Sequence, residues 1–401
     1  MLEDDSDITI GVLLLSFFVV LGIPQLLGIS QGLLFLYIVL FKRKPVKSWK
    51  VGWDQKLFLA YYLLLILGLI YSDNQASGRM VLEKSLSFIS CTILFITIQN
   101  FGLRFKLNKV LLGFHIAILL MLLYALLLNT TEFISTDSLY VMVGKTRYNQ
   151  FLYYGLTHNL ANGHPVYLSF YLVVCNLCLL YKNVYKQKLR PRRIEVVLFF
   201  MTLVFLVLLQ SVAALMAFLF CSLIIIVLGA SKSIKFYALL LYTVFGITLL
   251  YNPKLQQKLK PVFDKELSPT DDPEKRNTLT IRLAKWDCAT KVIGDNWLLG
   301  TGTGDDFDVL RSCYSEKNYQ YLYAMYSNPH NQYLHAWVRN GIFGMLVFVG
   351  MLLLPLKMGK IKMFATFALP IAISSISESF LELQSGISFF ALFFLLFYNE
   401  E

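Results

Sequence analysis

What most limits the folds open to this chain is a series of apolar runs, several at the short end of the roughly 17 to 25 residues that cross bilayer hydrocarbon. They fall at 8–22, 25–41, 57–71, 85–98, 110–128, 166–181, 194–210, 212–229, 236–251, 341–356, 363–377 and 387–399. In lipid the backbone polar groups of each run must be satisfied within it, so such runs read as helices. The expectation is an all-α, polytopic membrane protein of about 12 transmembrane helices. Composition agrees: only 15% of the 401 residues are charged and 57% are hydrophobic, against about 25% charged in an ordinary soluble domain. Too little polar surface remains for a cytosolic enzyme, a secreted disulfide scaffold or a disordered chain.

The net charge of +11 would raise nucleic acid as a partner for a soluble protein. Here its distribution gives another account, and no nucleic acid is expected. Connections on one side carry 20 Lys and Arg, whereas the short connections opposite carry Arg79, Lys84, Lys145 and Arg147. The positive-inside rule then puts both termini in the cytoplasm. Met1–Asp7 is acidic and lacks the basic flank of a signal peptide, so it is expected to stay in the mature chain.

This orientation leaves two sizeable connections outside, 129–165 and 252–340. The second mixes 12 basic with 11 acidic residues. The expected organisation is helices one to nine over 1–251, an outer loop or cap over 252–340, and the last three helices over 341–401. Within the cap, Leu279–Ile293 has helical periodicity and ends at Gly294.

Ser327-Asn328-Pro329-His330-Asn331 reads as a helix start, with Asn328 as N-cap and Pro329 at the first helical position. On a helix continuing through Leu354, Gly341 and Gly344 return to within about 20° and 40° of the direction of His330. With Trp337 they define a face carrying one histidine above two notches, where a lipid chain or another helix can approach. The free N–H groups of a helix start favour phosphate, and an imidazole there can donate a hydrogen bond or take a proton. The competing reading is an interfacial histidine above glycines that only pack.

The run His330-Asn331, nine residues, then Gly341-Ile342-Phe343-Gly344 resembles the signature of the O-antigen ligase family of bacterial envelope glycosyltransferases. Two further stretches look like the same family. One is Arg282 and, after three residues, Trp286, followed by Asp295-Asn296-Trp297-Leu298-Leu299-Gly300-Thr301-Gly302; the other is Glu378-Ser379-Phe380-Leu381-Glu382-Leu383-Gln384.

The resemblance implies the C-type glycosyltransferase fold and transfer of a glycan from undecaprenyl pyrophosphate to an acceptor hydroxyl. The reaction would take place on the periplasmic face of the inner membrane. In ligases the acceptor is lipid A core; in the related polymerases it is another lipid-linked glycan. Membrane lipid is a partner either way. No cofactor, nucleotide sugar or metal is implied, and the anomeric carbon inverts.

Arginine must then carry the charge of the departing pyrophosphate, since guanidinium offers paired, fixed donors. The resemblance makes His330 and Arg282 the catalytic candidates, with Asn331, Trp286, Gly341 and Gly344 around the substrate. The family often places an Arg after a Ser at the start of the eighth span, but here Ser211 is followed by Val212. Arg147 is the outer-side substitute, with Lys145 nearby. His330 would orient or deprotonate the acceptor hydroxyl, or hydrogen-bond the leaving phosphate.

Other signals carry less. His164 opens the sixth span and could line the same pocket as His158, or both are interfacial anchors. Glu378 and Glu382, four apart as on one helix side, either position sugar hydroxyls or cap a helix and face water. Asp306 and Asp308 form a D-x-D, a spacing seen in metal-dependent glycosyltransferases, beside motifs of a metal-independent family. His330 and His335, five apart, do not share a helix face as metal ligands four apart do. His115 sits alone in a span. Cys288 and Cys313 are either a disulfide, which an oxidising compartment allows, or two free thiols; Cys175 and Cys178 read as helix packing. A multispan transporter is the alternative of another class. It should hold ionisable groups at mid-membrane, whereas these spans are nearly charge-free.

Overall fold

The structure is a computed structural model that describes residues 6–21, 24–42, 50–144, 146–160, 163–185, 193–231, 235, 242, 268–273 and 277–400. The expected span at 236–251 (Tyr242 apart), the loop residues 252–267 and Lys145 lie outside the described residues. Every other expected run overlaps a helix.

In chain order the elements are α1 (Ser6–Leu21), α2 (Pro24–Phe41), α3 (Trp53–Ile70), α4 (Gln75–Ser85), α5 (Ser87–Asn100), α6 (Leu107–Thr136), β1 (Tyr140–Val143), β2 (Thr146–Asn149), α7 (Tyr153–Thr157), α8 (Pro165–Tyr185), α9 (Arg193–Leu209) and α10 (Val212–Gly229). After the undescribed stretch come α11 (Thr278–Asp295), α12 (Asp306–Glu316), α13 (Gln320–Met325), α14 (Gln332–Lys357), α15 (Ile361–Ser374, with a π-helical turn at Phe364–Ala368) and α16 (Gln384–Tyr398). Among the described residues six helices are long and apolar enough to cross a membrane: α3, α4 with α5 as one run, α6, α8, α10 and α14. The antiparallel β1–β2 hairpin, with Met142 opposite Arg147, departs from the all-helical expectation.

Helix starts follow local chemistry. Asn74, Ser211, Asn277 and Asn331 each accept a backbone N–H from the first turn of the helix that follows, which satisfies donors the helix itself cannot. At Asn277 the exchange is reciprocal, because its own N–H donates to Thr280 Oγ1 at 2.8 Å.

The centre of the fold is α16, buried on every face from Gly386 to Tyr398. A helix apolar all round could also face lipid, but this one is enclosed by other helices. Its Phe393 ring lies 4.4 Å from Phe114 of α6, Phe389 lies 4.4 Å from Tyr171 of α8, and Phe394 lies 5.1 Å from Phe58 of α3. A second, smaller core joins Ala284, Cys288, Val292, Leu310 and Tyr314 of the cap to Val338 of α14. Cys288 and Cys313, left open by the sequence, are disulfide-bonded across α11 and α12.

Helix α14 is where expectation and structure part. It begins at Gln332, with Asn331 rather than Asn328 as its N-cap. Asn328 Oδ1 instead takes the backbone N–H of His330 at 2.9 Å, and His330 has φ +47°, outside the helix. The helix also breaks at Asn340–Gly341, where Gly341 has φ +61°. The carbonyls of Val338 and Arg339 are released there, and they accept from Thr301 N at 2.8 Å and Gly302 N at 3.0 Å. The straight-helix projection from His330 to Gly341 and Gly344 therefore fails.

Candidate functional site

Three segments far apart in sequence meet around one carboxylate. Glu378, in the non-helical connection between α15 and α16, accepts from Arg282 Nη2 of α11 at 3.1 Å through Oε1. Its Oε2 lies 3.3 Å from His330 Nδ1. The α11 start capped by Asn277 directs Arg282 to this point, and the left-handed turn at His330 swings the imidazole off the α14 axis. Burial would raise the Glu378 carboxyl, but the His330 hydrogen bond and the charges of His330, Arg282 and His164 outweigh it and hold the group below the usual range. Burial lowers the His330 imidazole; Glu378 opposes that, while Lys285 and Arg282 add to it. An ionised carboxylate facing Nδ1 requires the proton on that nitrogen. Nε2 then carries the lone pair, and among the described residues it has no partner.

Around this centre stand half-buried tyrosines and a second histidine. His164 Nε2 lies 2.5 Å from the Tyr154 hydroxyl, and burial pulls its imidazole down to about 4. Tyr153 is pushed up to about 12, by burial first and then by the charge of Glu378. Rings continue from Tyr154 through His164 and Tyr167 to Phe380, with centroids 5.1–5.4 Å apart. His164 and Tyr154 also line a cavity of about 500 Å³ whose walls include Phe18, Val19, Leu27 and Leu383, with Lys84 at its edge. A mostly apolar cavity between helices with a few polar groups suits the tail of an amphiphile.

A second ionic group has a buried centre formed by Asp306, His335 and Arg339. Asp306 Oδ2 accepts from Arg339 Nε at 2.9 Å and lies 2.8 Å from His335 Nε2. Arg339 Nη2 continues to Glu382 Oε2 at 2.9 Å, and Lys84 reaches Glu382 Oε1 at 3.6 Å. Burial would raise the Asp306 carboxyl, but Arg339 and His335 hold it below the ordinary value.

Residues 197–349 match the family model described as O-antigen ligase. That stretch of the chain is similar to the O-antigen ligase family. No curated protein matches the chain. The matched stretch includes Arg282 and His330, whereas Glu378 and Glu382 lie beyond it.

Of the residues the ligase resemblance pointed to, the structure brings together His330, Arg282 and Glu378, with His164 within electrostatic reach of Glu378. The others sit differently. Asn331 caps α14 through Leu334 N at 3.1 Å. Trp286 Nε1 is buried without a partner among the described residues. Arg147 is exposed on β2, its guanidinium 4.5 Å over the Tyr140 ring, so it is no part of the carboxylate centre. Val212 is 59% exposed, so the position following Ser211 points outward.

Gly341 offers no notch: a Cβ there would lie 2.0 Å from Leu298 O, because the 297–302 loop fills the space. At Gly344 a Cβ would meet Ala336 O and the Asn340 side chain, both at 2.7 Å. These glycines admit protein backbone rather than substrate. Glu378 and Glu382 do not share a helix side, since their segment is not helical; each serves a different ionic group. The D-x-D carboxylates already have protein donors: Asp308 Oδ2 accepts from Asn74 Nδ2 at 2.7 Å. Asp306 thus proves to be an ion-pair residue.

Two features escaped sequence reasoning. His335 and Arg339, four apart, share a face of α14, which was a usable signal. Lys285 falls on the buried face of α11 with Ala284 and Cys288, a polar interruption of an apolar stripe.

Proposed function

We propose that this chain moves a glycan from undecaprenyl pyrophosphate to an acceptor hydroxyl, as O-antigen ligation to lipid A core in the bacterial inner membrane. The observation that carries the reading is the Arg282–Glu378–His330 linkage beside a mostly apolar cavity, in a chain similar to the O-antigen ligase family over 197–349. About twelve spans in the C-type arrangement, cytoplasmic termini, the cap over 252–340 and a periplasmic site belong to the same reading. The asymmetric distribution of Lys and Arg supports that orientation.

The polyprenyl tail lies in the apolar cavity and its pyrophosphate faces Arg282. Only one guanidinium N–H contact is used on Glu378, and the remaining donors can hold phosphate oxygens. The acceptor hydroxyl gives its proton to His330 Nε2 while its oxygen forms the new bond to the anomeric carbon. The bond from that carbon to the pyrophosphate oxygen breaks, and its electron pair leaves on the polyprenyl pyrophosphate. Glu378 steadies the imidazolium through Nδ1–H, the role a carboxylate plays behind a catalytic histidine. Attack opposite the leaving group inverts the anomeric carbon, with charge balanced by guanidinium rather than by a metal.

The test is transfer by purified protein from undecaprenyl pyrophosphate glycan to lipid A core, with chelator present, comparing wild type with His330→Ala and Arg282→Ala. Transfer to lipid A core by wild type and its loss in both variants supports the reading. Lengthening of the lipid-linked glycan instead assigns a polymerase acting through the same site. Two variants as active as wild type remove the site assignment.

A further inference from the structure

Lys285 follows Arg282 by one helical turn on α11 and is only 6% exposed. A lysine so enclosed ordinarily ends on a carboxylate, yet among the described residues Nζ makes no hydrogen bond or ion pair. The charges that face it come from three elements: Arg282 on its own helix, Glu378 on the α15–α16 connection, and His330 ahead of α14. Beyond them, His164 and Tyr153 face Glu378.

Among the described residues Glu378 is the only acid in this group, and both its oxygens are engaged, by Arg282 and His330. With Arg282 and Lys285 both charged, the centre holds one more positive than negative charge even when His330 is neutral. Neighbouring polar atoms are also unpartnered among the described residues: Trp286 Nε1, Ser379 Oγ beside Glu378, Ser375 Oγ and His164 Nδ1. A half-buried centre with surplus positive charge and spare polar atoms is arranged for an anion.

We propose that Lys285 is a phosphate contact, its ammonium pairing with the pyrophosphate of the lipid-linked donor beside Arg282. The inference rests on the donor reading above and adds a residue to it. Burial and the Arg282 charge, only partly opposed by Glu378, pull the amine down to about 7. An anion beside it favours the charged form, so its value rises in the complex. Affinity contributed by a group whose value is raised on binding is complete below its free value and is lost as pH climbs from there through its value in the complex. Lys285 should therefore strengthen anion binding in mildly acidic solution and contribute little in mildly basic solution.

The experiment titrates full-length protein in detergent with inorganic pyrophosphate by calorimetry at about pH 6.5 and about pH 8.5, for wild type, Lys285→Met and Lys285→Arg. The ratio of wild-type to Lys285→Met affinity removes the titration common to both, that of pyrophosphate and His330. The expected ratio is about tenfold or more at the lower pH and falls to about twofold at the higher one. Lys285→Arg, whose charge does not titrate in this range, should keep its advantage over Lys285→Met at both. Thermal unfolding of the three proteins checks that each is folded, and Lys285→Arg reports on the charge if Lys285→Met does not fold. Wild type that binds while Lys285→Met matches it at both pH values overturns the assignment to Lys285 alone. Wild type that binds no pyrophosphate at either pH overturns the anion site and the donor reading with it.

Discussion

Arg339 Nη2 lies 2.7 Å from Asp306 Oδ2, with the two side chains 5% and 0% exposed. This pair fastens α12 of the cap to α14, and through Glu382 and Lys84 it reaches α4 near the apolar cavity. Removing one partner of a buried pair strands the other charge, which costs far more than the pair contributes in net stability. Asp306→Ala should lose about 3–5 kcal/mol, read as a lower unfolding temperature in detergent. Asp306→Leu combined with Arg339→Met should be the milder change, and an unaltered unfolding temperature in Asp306→Ala would remove the pair as a structural element.

The Glu378–His330 contact makes a prediction about pH. In the proposed mechanism the acting form of His330 is neutral, so wild-type kcat/KM should fall as pH drops through a value below the ordinary imidazole range. Glu378 lifts that value against burial; Glu378→Gln takes the lift away, and the acid limb should move to still lower pH. The rate on the plateau should fall on the order of 100-fold, as for other losses of acid–base assistance. An acid limb that stays put or moves upward in the pH profile of the variant would falsify the pairing.

Gly341 holds φ +61° against the Leu298 carbonyl. An alanine there suffers the left-handed backbone cost of about 1–3 kcal/mol and also displaces the 297–302 loop. Gly341→Ala should both lower the unfolding temperature and raise proteolytic cleavage within that loop. Wild-type protease resistance in the variant would mean that the loop does not depend on the kink.

The Cys288–Cys313 bond closes α11 against α12. Alkylation of denatured protein should label both thiols only after reduction, and Cys288→Ser should cost about 2–5 kcal/mol. Because α11 also carries Arg282, the same substitution should weaken pyrophosphate binding. Full labelling without reductant is the outcome that excludes the bond.

Particular residues mark how far the sequence could be read. His330 and Arg282 were legible because their motifs hold them at fixed distances from recognisable neighbours. Glu378 was legible only as one of two equal carboxylates. Its expected pairing with Glu382 came from placing both on a helix, and local spacing does not reveal that the connection from Ser375 to Leu383 is non-helical. Arg147 was sought as the second cation because topology put it on the outer side, but side of the membrane is a coarser property than contact. Lys285 was hidden because a lysine in an amphipathic helix is ordinarily a solvent residue.

The sequence by itself determined a multi-pass membrane protein with an O-antigen ligase signature, because apolar run length and motif spacing are properties of adjacent residues. Tertiary structure decided what the glycines do, which carboxylate joins His330 to Arg282, and where a lysine is buried. The break at Gly341 exists because the carbonyls it frees are taken up by Thr301 and Gly302, about forty residues earlier in the chain. No local propensity encodes such a partner; it becomes available only when the cap has folded onto α14.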